Sequence, residues 1–142
     1  MGKMDRGDFQ EISRIRRREA ASLLKAKHYA GAYYLIGYAV ECALKACIAK
    51  QTMRYDFPPK KNIVDKYYSH DLENLINQAG LKLDLDENTN KYRKFHLNWS
   101  TVKDWKEQSR YRTDISRAEA EELYFACTSR KNGILSWIKT KW

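Results

Sequence analysis

Residues 32–49, AYYLIGYAVECALKACIA, constrain this chain more than any other stretch. Placed on a helix at 100° per residue, Leu35, Ile36, Ala39, Val40, Ala43, Ala46 and Cys47 cover most of the circumference. A helix that is apolar nearly all round belongs in the middle of a bundle. One narrow stripe differs: Tyr34, Tyr38, Glu41 and Lys45 follow one another at i, i+4, i+7 and i+11. Glu41 and Lys45 are the only charges in the segment, and charges in such a place must be paired, wetted or used.

The rest of the chain fits around such a helix. At 142 residues one domain spanning 1–142 is expected, long enough to bury a core. A hydrophobic content of 43%, with 13% aromatic, excludes wholesale disorder. Lys and Arg number 27 against 18 Asp and Glu, a net charge of +9 that favours polyanionic partners without choosing among them. Cys42, Cys47 and Cys127 make an odd count with no metal-type spacing, which reads as buried reduced thiols in a cytoplasmic protein. No His/Asp/Glu cluster with ligand spacing appears, so neither a metal nor a cofactor is expected. The N-terminal MGKMDRGDFQEI is charged and has no leader-like apolar run. Glu41 and Lys45 interrupt the one apolar segment short of the ~20 residues a span needs, so no membrane is expected.

Along the chain, a first helix is expected from an N-cap at Asp8 to about Lys27, with Ile12, Ile15, Ala20, Leu23 and Leu24 inward. Arg14, Arg16, Arg17 and Arg18 are too clustered to share one direction. They suit a solvated helix face, or alternatively a phosphate-contacting patch. Gly31 marks the turn into the central helix, and after Lys50 a connector carries Pro58 and Pro59. Ser69 is expected to cap a short helix, HDLENLINQA, ended by Gly80. A fourth segment opens at Asp84 or Asp86 and runs through Tyr92, Phe95, Trp99 and Val102. After the polar break KEQSRYRTD, Ser116 and Glu119 form a capping box for a last helix with Leu123, Cys127, Ile134 and Ile138 inward and Gly133 as a weak point. No β-type alternation or internal repeat appears. The expected class is all-α, an antiparallel four- to five-helix bundle.

Three blocks carry a family likeness: EAASLLKAKHYAGAYYLIGYAVECALKACIA, then SHDLENLINQAGL, then NWSTVKDWKEQSRYR. Their most specific element is the GYAVECALKA helix followed by a helix opening on HDL, and together they resemble prokaryotic HEPN domains. The resemblance implies a HEPN-like bundle that commonly forms homodimers and serves toxin–antitoxin or defence systems, often beside a nucleotidyltransferase-like partner protein. It also implies RNA or nucleotide as the ligand, and many members are metal-independent endoribonucleases. Their Glu-x3-Lys feature is present as Glu41 and Lys45, with Ala46 where an Arg often follows. Their usual ribonuclease motif, an Arg followed after four to six residues by His, is absent at His28, His70 and His96.

Among candidate site residues, Glu41 and Lys45 stand in the favourable i,i+4 order for a helix ion pair. They either pair and register the bundle, or Lys45 holds a phosphate while Glu41 orients a neighbour. Tyr34 and Tyr38 extend the stripe and suit stacking on a base or the edge of a core. His70, expected just inside a helix N-terminus, is the candidate proton carrier or else a local loop contact. Arg110, Tyr111 and Arg112 occupy the break before the last helix, where a planar guanidinium fork suits phosphate. Arg110 is expected near Glu41 or Lys45, and Trp99 and Trp105 are expected in the core. Two readings follow. One is a degenerate metal-independent endoribonuclease with Lys45, His70 and Arg110 as its working groups. The other is a non-catalytic dimeric module that binds nucleotide or a partner protein through the same cleft.

Overall fold

The computed structural model describes residues 4–55 and 69–142, with side chains to Gln51 in the first stretch. The Pro58–Pro59 connector expected from the sequence lies outside the described residues.

The first helix, α1 (Arg6–Lys25), is opened by Asp5 rather than Asp8. The Asp5 carboxylate accepts from the Asp8 N–H at 2.8 Å, and the Asp8 carboxylate accepts from the Asp5 N–H at 3.0 Å. That reciprocal pair makes Asp8 the third helical residue of a capping box instead of the cap. Lys27, at φ 67°, turns the chain, and α2 (Tyr29–Tyr55) begins two residues later, so Gly31 lies inside the second helix rather than at the turn. The two helices form an antiparallel hairpin: Phe9 clusters with Ala46 and Ala49, and the Ser13 hydroxyl donates to the Ala39 carbonyl at 2.7 Å. Phe9, Ser13 and Ala20 are the buried positions of α1, whereas Ile12, Ile15, Leu23 and Leu24 are only half-buried. Small residues on α2 explain this. Ala39, Ala43, Ala46 and Ala49 let the helices approach so closely that a serine hydroxyl reaches backbone.

The central helix is buried on nearly every side, as its composition demands: every residue from Ala39 to Ala49 is buried. Of the candidate burial markers, Ala39, Ala43 and Cys47 lie at 4% exposure or less, and Leu35 is half-buried. By length and composition Tyr29–Gln51 could cross a membrane, but 83% of its apolar window is buried in the bundle.

Helix α3 (Leu72–Gln78) is capped by Asp71, whose carboxylate accepts from the Glu73 and Asn74 N–H groups, while Ser69 receives only the Asp71 N–H at 3.3 Å. It ends as expected at Gly80, φ 72°, where an L side chain would be strained. The fourth expected segment is two helices, α4 (Lys82–Lys91) and α5 (Arg93–Val102), because Tyr92 takes an extended conformation between them. Phe95, Asn98, Trp99 and Val102 form the buried face of α5. A 3₁₀ turn, Glu107–Tyr111, replaces the patternless break. The last expected helix is also two, α6 (Arg117–Thr128) and α7 (Ile134–Lys139). Gly133 is what permits this: a Cβ there would collide with the backbone of Cys127 and Ser129. At the start of α6, Ser116 accepts from the Glu119 N–H at 3.1 Å, but the Glu119 carboxylate is drawn to Arg112 instead of completing a capping box. The fold is thus an all-α helical bundle, with no strand among the described residues and more, shorter helices than periodicity alone implies.

Candidate functional site

The charged stripe of α2 meets the entry to α3. Glu41 has no exposed surface, and its carboxylate takes the Lys45 Nζ at 3.1 Å one turn on. The His70 Nδ1 lies 3.1 Å from each of its two oxygens. One buried carboxylate is therefore shared between an ammonium on its own helix and an imidazole from the chain before α3. The His70 side chain is 49% exposed, so its far edge faces solvent while its near edge is held. A carboxylate accepts hydrogen bonds, so Nδ1 carries a hydrogen, and in the neutral ring Nε2 is the nitrogen left with the lone pair. His70 is not inside a helix N-terminus; Asp71 is the cap, and what orients the ring is Glu41.

Lys45 is 7% exposed and is part of the core rather than a free surface cation. Its pairing balances a carboxylate that would otherwise be costly to bury.

Above this trio the stripe continues as aromatic rings. Tyr34 stacks on Tyr38 at 6.0 Å with planes 16° apart, and Tyr34 lies 6.0 Å from Trp105. Trp105 is completely buried, Trp99 is 8% exposed, and both belong to the core as expected. Trp105 packs its five-membered ring edge onto Gly37, where any Cβ would enter the ring. Gly37 was not singled out from the sequence, although it sits on the stripe face, three residues after Tyr34 and four before Glu41. A glycine at that position is the signal that a large side chain lands there. Trp105 Nε1 and the Ser109 hydroxyl are buried without a hydrogen-bond partner among the described residues.

Burial, with Cys42 and Glu41 nearby, pushes the Tyr38 phenol up to about 12. Burial likewise raises Tyr34, aided by Glu107 and Glu41 and opposed by the Arg110 guanidinium. That opposition places Arg110 at the Tyr34 end of the stripe. Arg110 pairs with Glu107, donates to the Tyr111 hydroxyl at 2.8 Å and lies 4.7 Å over the Tyr111 ring. It makes no ion pair with Glu41, whose partners among the described residues are Lys45 and His70. Tyr111 is 72% exposed. Arg112 points elsewhere: it takes Glu119 with two nitrogens, at 2.8 and 3.3 Å, takes Asp114 at 3.1 Å, and lies over Tyr33.

The structure therefore brings together Tyr34, Tyr38, Glu41, Lys45 and His70, sets Arg110 and Tyr111 at one end, and separates Arg112. His28 and His96 are exposed and distant in role from the stripe. Among the described residues no group of three or more His, Cys, Asp or Glu side chains could hold a metal ion.

No family model matches the chain. No curated protein and no solved structure matches it either.

Proposed function

We propose that this chain is a HEPN-like protein directed at RNA or nucleotide, cytoplasmic and homodimeric, working in a prokaryotic toxin–antitoxin or defence module beside a nucleotidyltransferase-like partner. The family part of this reading rests on the sequence blocks described above. The site part rests on one observation: the His70 imidazole is held on its Nδ1 side by a buried carboxylate, with the rest of the ring in solvent.

Metal-independent RNA cleavage needs a positioned general base, and a neutral imidazole held at Nδ1 offers its Nε2 for that role. Nε2 takes the proton of a ribose 2′-hydroxyl, the 2′-oxygen attacks the adjacent phosphorus, and the 5′-oxygen of the next nucleotide leaves as it is protonated. The products carry a 2′,3′-cyclic phosphate and a 5′-hydroxyl. Arg110 is the candidate for the phosphorane oxygens, and the Tyr111 hydroxyl beside it for the leaving-group proton. Lys45 acts through Glu41 as a positioning residue.

The second reading is a non-catalytic dimeric module that binds nucleotide or a partner protein in the same cleft. It is favoured by one observation: Lys45 is consumed by Glu41, and Arg110 by Glu107 and Tyr111.

RNA incubated with the full chain in EDTA separates the readings. The catalytic reading expects cyclic-phosphate ends and a loss of about 10²-fold or more in His70→Ala. Binding that weakens with salt, with no cleavage above a triple Lys45/His70/Arg110 variant, establishes the module instead. Neither cleavage nor salt-sensitive binding contradicts the catalytic and the nucleotide-binding readings and leaves a partner-protein-binding module.

A further inference from the structure

In the arginine cluster of α1, Arg14 and Arg18 are exposed and Arg16 and Arg17 half-buried, and three of the four border one concavity. A cavity of about 250 Å³ is lined by Arg14, Arg17 and Arg18 of α1, by Leu135 and Lys139 of α7, and by Trp142. Arg14 lies 5.1 Å and Lys139 5.6 Å over the Trp142 ring. Four cations from two helices thus converge where no acidic side chain lines the wall. Glu11 reaches Arg14 from outside at 3.6 Å, and Arg16 is turned away to Glu19. Arg17 and Arg18 have no ion-pair or hydrogen-bond partner among the described residues. Two hydroxyl-bearing residues, Ser13 and Tyr124, also line the wall, and the Ser13 hydroxyl is already committed to the Ala39 carbonyl.

Like charges gathered around a concavity repel one another, and a bound anion relieves that repulsion. Lys139 registers the cost: burial lowers its ammonium, and Arg17 and Arg14 lower it further. Leu135, 2% exposed, and the Trp142 ring make the same wall apolar. Recognition of this kind suits an anion joined to an apolar or aromatic body, and four cations around one concavity suit a doubly charged phosphate, whose oxygens accept from several guanidinium forks at once.

The geometry points to a second ligand site, separate from the Glu41–His70 cluster: the α1–α7 cavity binds a nucleoside monophosphate, its phosphate on Arg17, Arg18 and Lys139 and its base against the apolar wall. The site does not depend on the Glu41–His70 cluster being catalytic.

The test is calorimetric titration of the full chain at low salt with AMP, adenosine and inorganic phosphate in turn, alongside ¹⁵N-indole spectra. AMP should bind more tightly than either fragment. The Arg17→Ala/Lys139→Ala variant should lose about tenfold or more in affinity, because two charge-assisted contacts are removed. Arg117→Ala, which breaks only the exposed Glu121 pair, should bind as the parent does. The Trp142 indole signal, assigned with Trp142→Phe, should move on titration while that of Trp105, beside Tyr34, stays fixed. Unchanged binding in the double variant, inorganic phosphate binding as well as AMP, or movement of the Trp105 signal alone would each overturn the proposal. The last result would assign the ligand to the Tyr34–Glu41 stripe.

Discussion

Glu41 shows how one residue can be both core and candidate site. It is fully buried, and its two oxygens serve Lys45 and His70 at 3.1 Å. Glu41→Ala would strand the Lys45 ammonium in a helix apolar on its other sides, so it should cost about 3–5 kcal/mol. Lys45→Ala would strand the carboxylate in turn, so neither substitution is a clean probe of chemistry. His70→Ala removes a half-exposed ring and should leave most of the stability in place. Urea unfolding of the three variants checks this ordering, and equal losses would contradict it. Much of this arrangement is legible beforehand, since two charges on an apolar helix must find partners. The partner from elsewhere was not legible. Arg110 stood in a plausible break, but Glu107 three residues before it offers a nearer partner.

Between elements, the position of His70 depends on where α3 begins. Asp71 fixes that point by accepting from the N–H groups of Glu73 and Asn74. Asp71→Ala should therefore cost about 1 kcal/mol of stability, and it should also loosen the ring's hold on Glu41. Thermal unfolding measures the first effect, and broadening of the His70 ring resonances measures the second. A stability loss with unchanged His70 resonances would show that the cap does not position the ring. Caps were the element ends least well read from sequence. Asp5 and Asp8, or Ser69 and Asp71, are equally able residues, and only the realised hydrogen bonds separate them. Splits inside segments were hidden for a related reason. Tyr92 interrupts the α4–α5 stretch through its backbone conformation alone, and Gly133 closes a turn whose need arises from contact with residues 127–129. The central helix was legible because its burial is written in composition rather than in local geometry.

For the whole molecule, three buried thiols make stability fall at alkaline pH. Burial pushes Cys42 up from 9.0 to about 12 and Cys47 to about 11, and raises Cys127, fully enclosed by α6 and α2, further. Below pH 9 both folded and unfolded chains keep these protons, and the folded state loses nothing. Above it the unfolded chain releases them while the folded chain holds on, so stability drops as pH rises toward the folded values. The slope should approach about 1.4 kcal/mol per pH unit for each thiol. Urea unfolding at pH 8, 9 and 10 checks it, with Cys47→Ala flattening the slope by one proton. A parent chain equally stable at pH 8 and 10 would contradict it.

A base role for His70 turns on which nitrogen of its neutral ring bears the hydrogen. Two-dimensional ¹⁵N spectra of the ring, recorded well above the pH at which imidazole loses its charge, read this directly. The ring should be in the Nδ1–H form, with Nε2 carrying the lone pair and the two ¹⁵N shifts moving together in Glu41→Gln. A His70 ring in the Nε2–H form, or one whose signals match those of the exposed His28 and ignore Glu41→Gln, would contradict it.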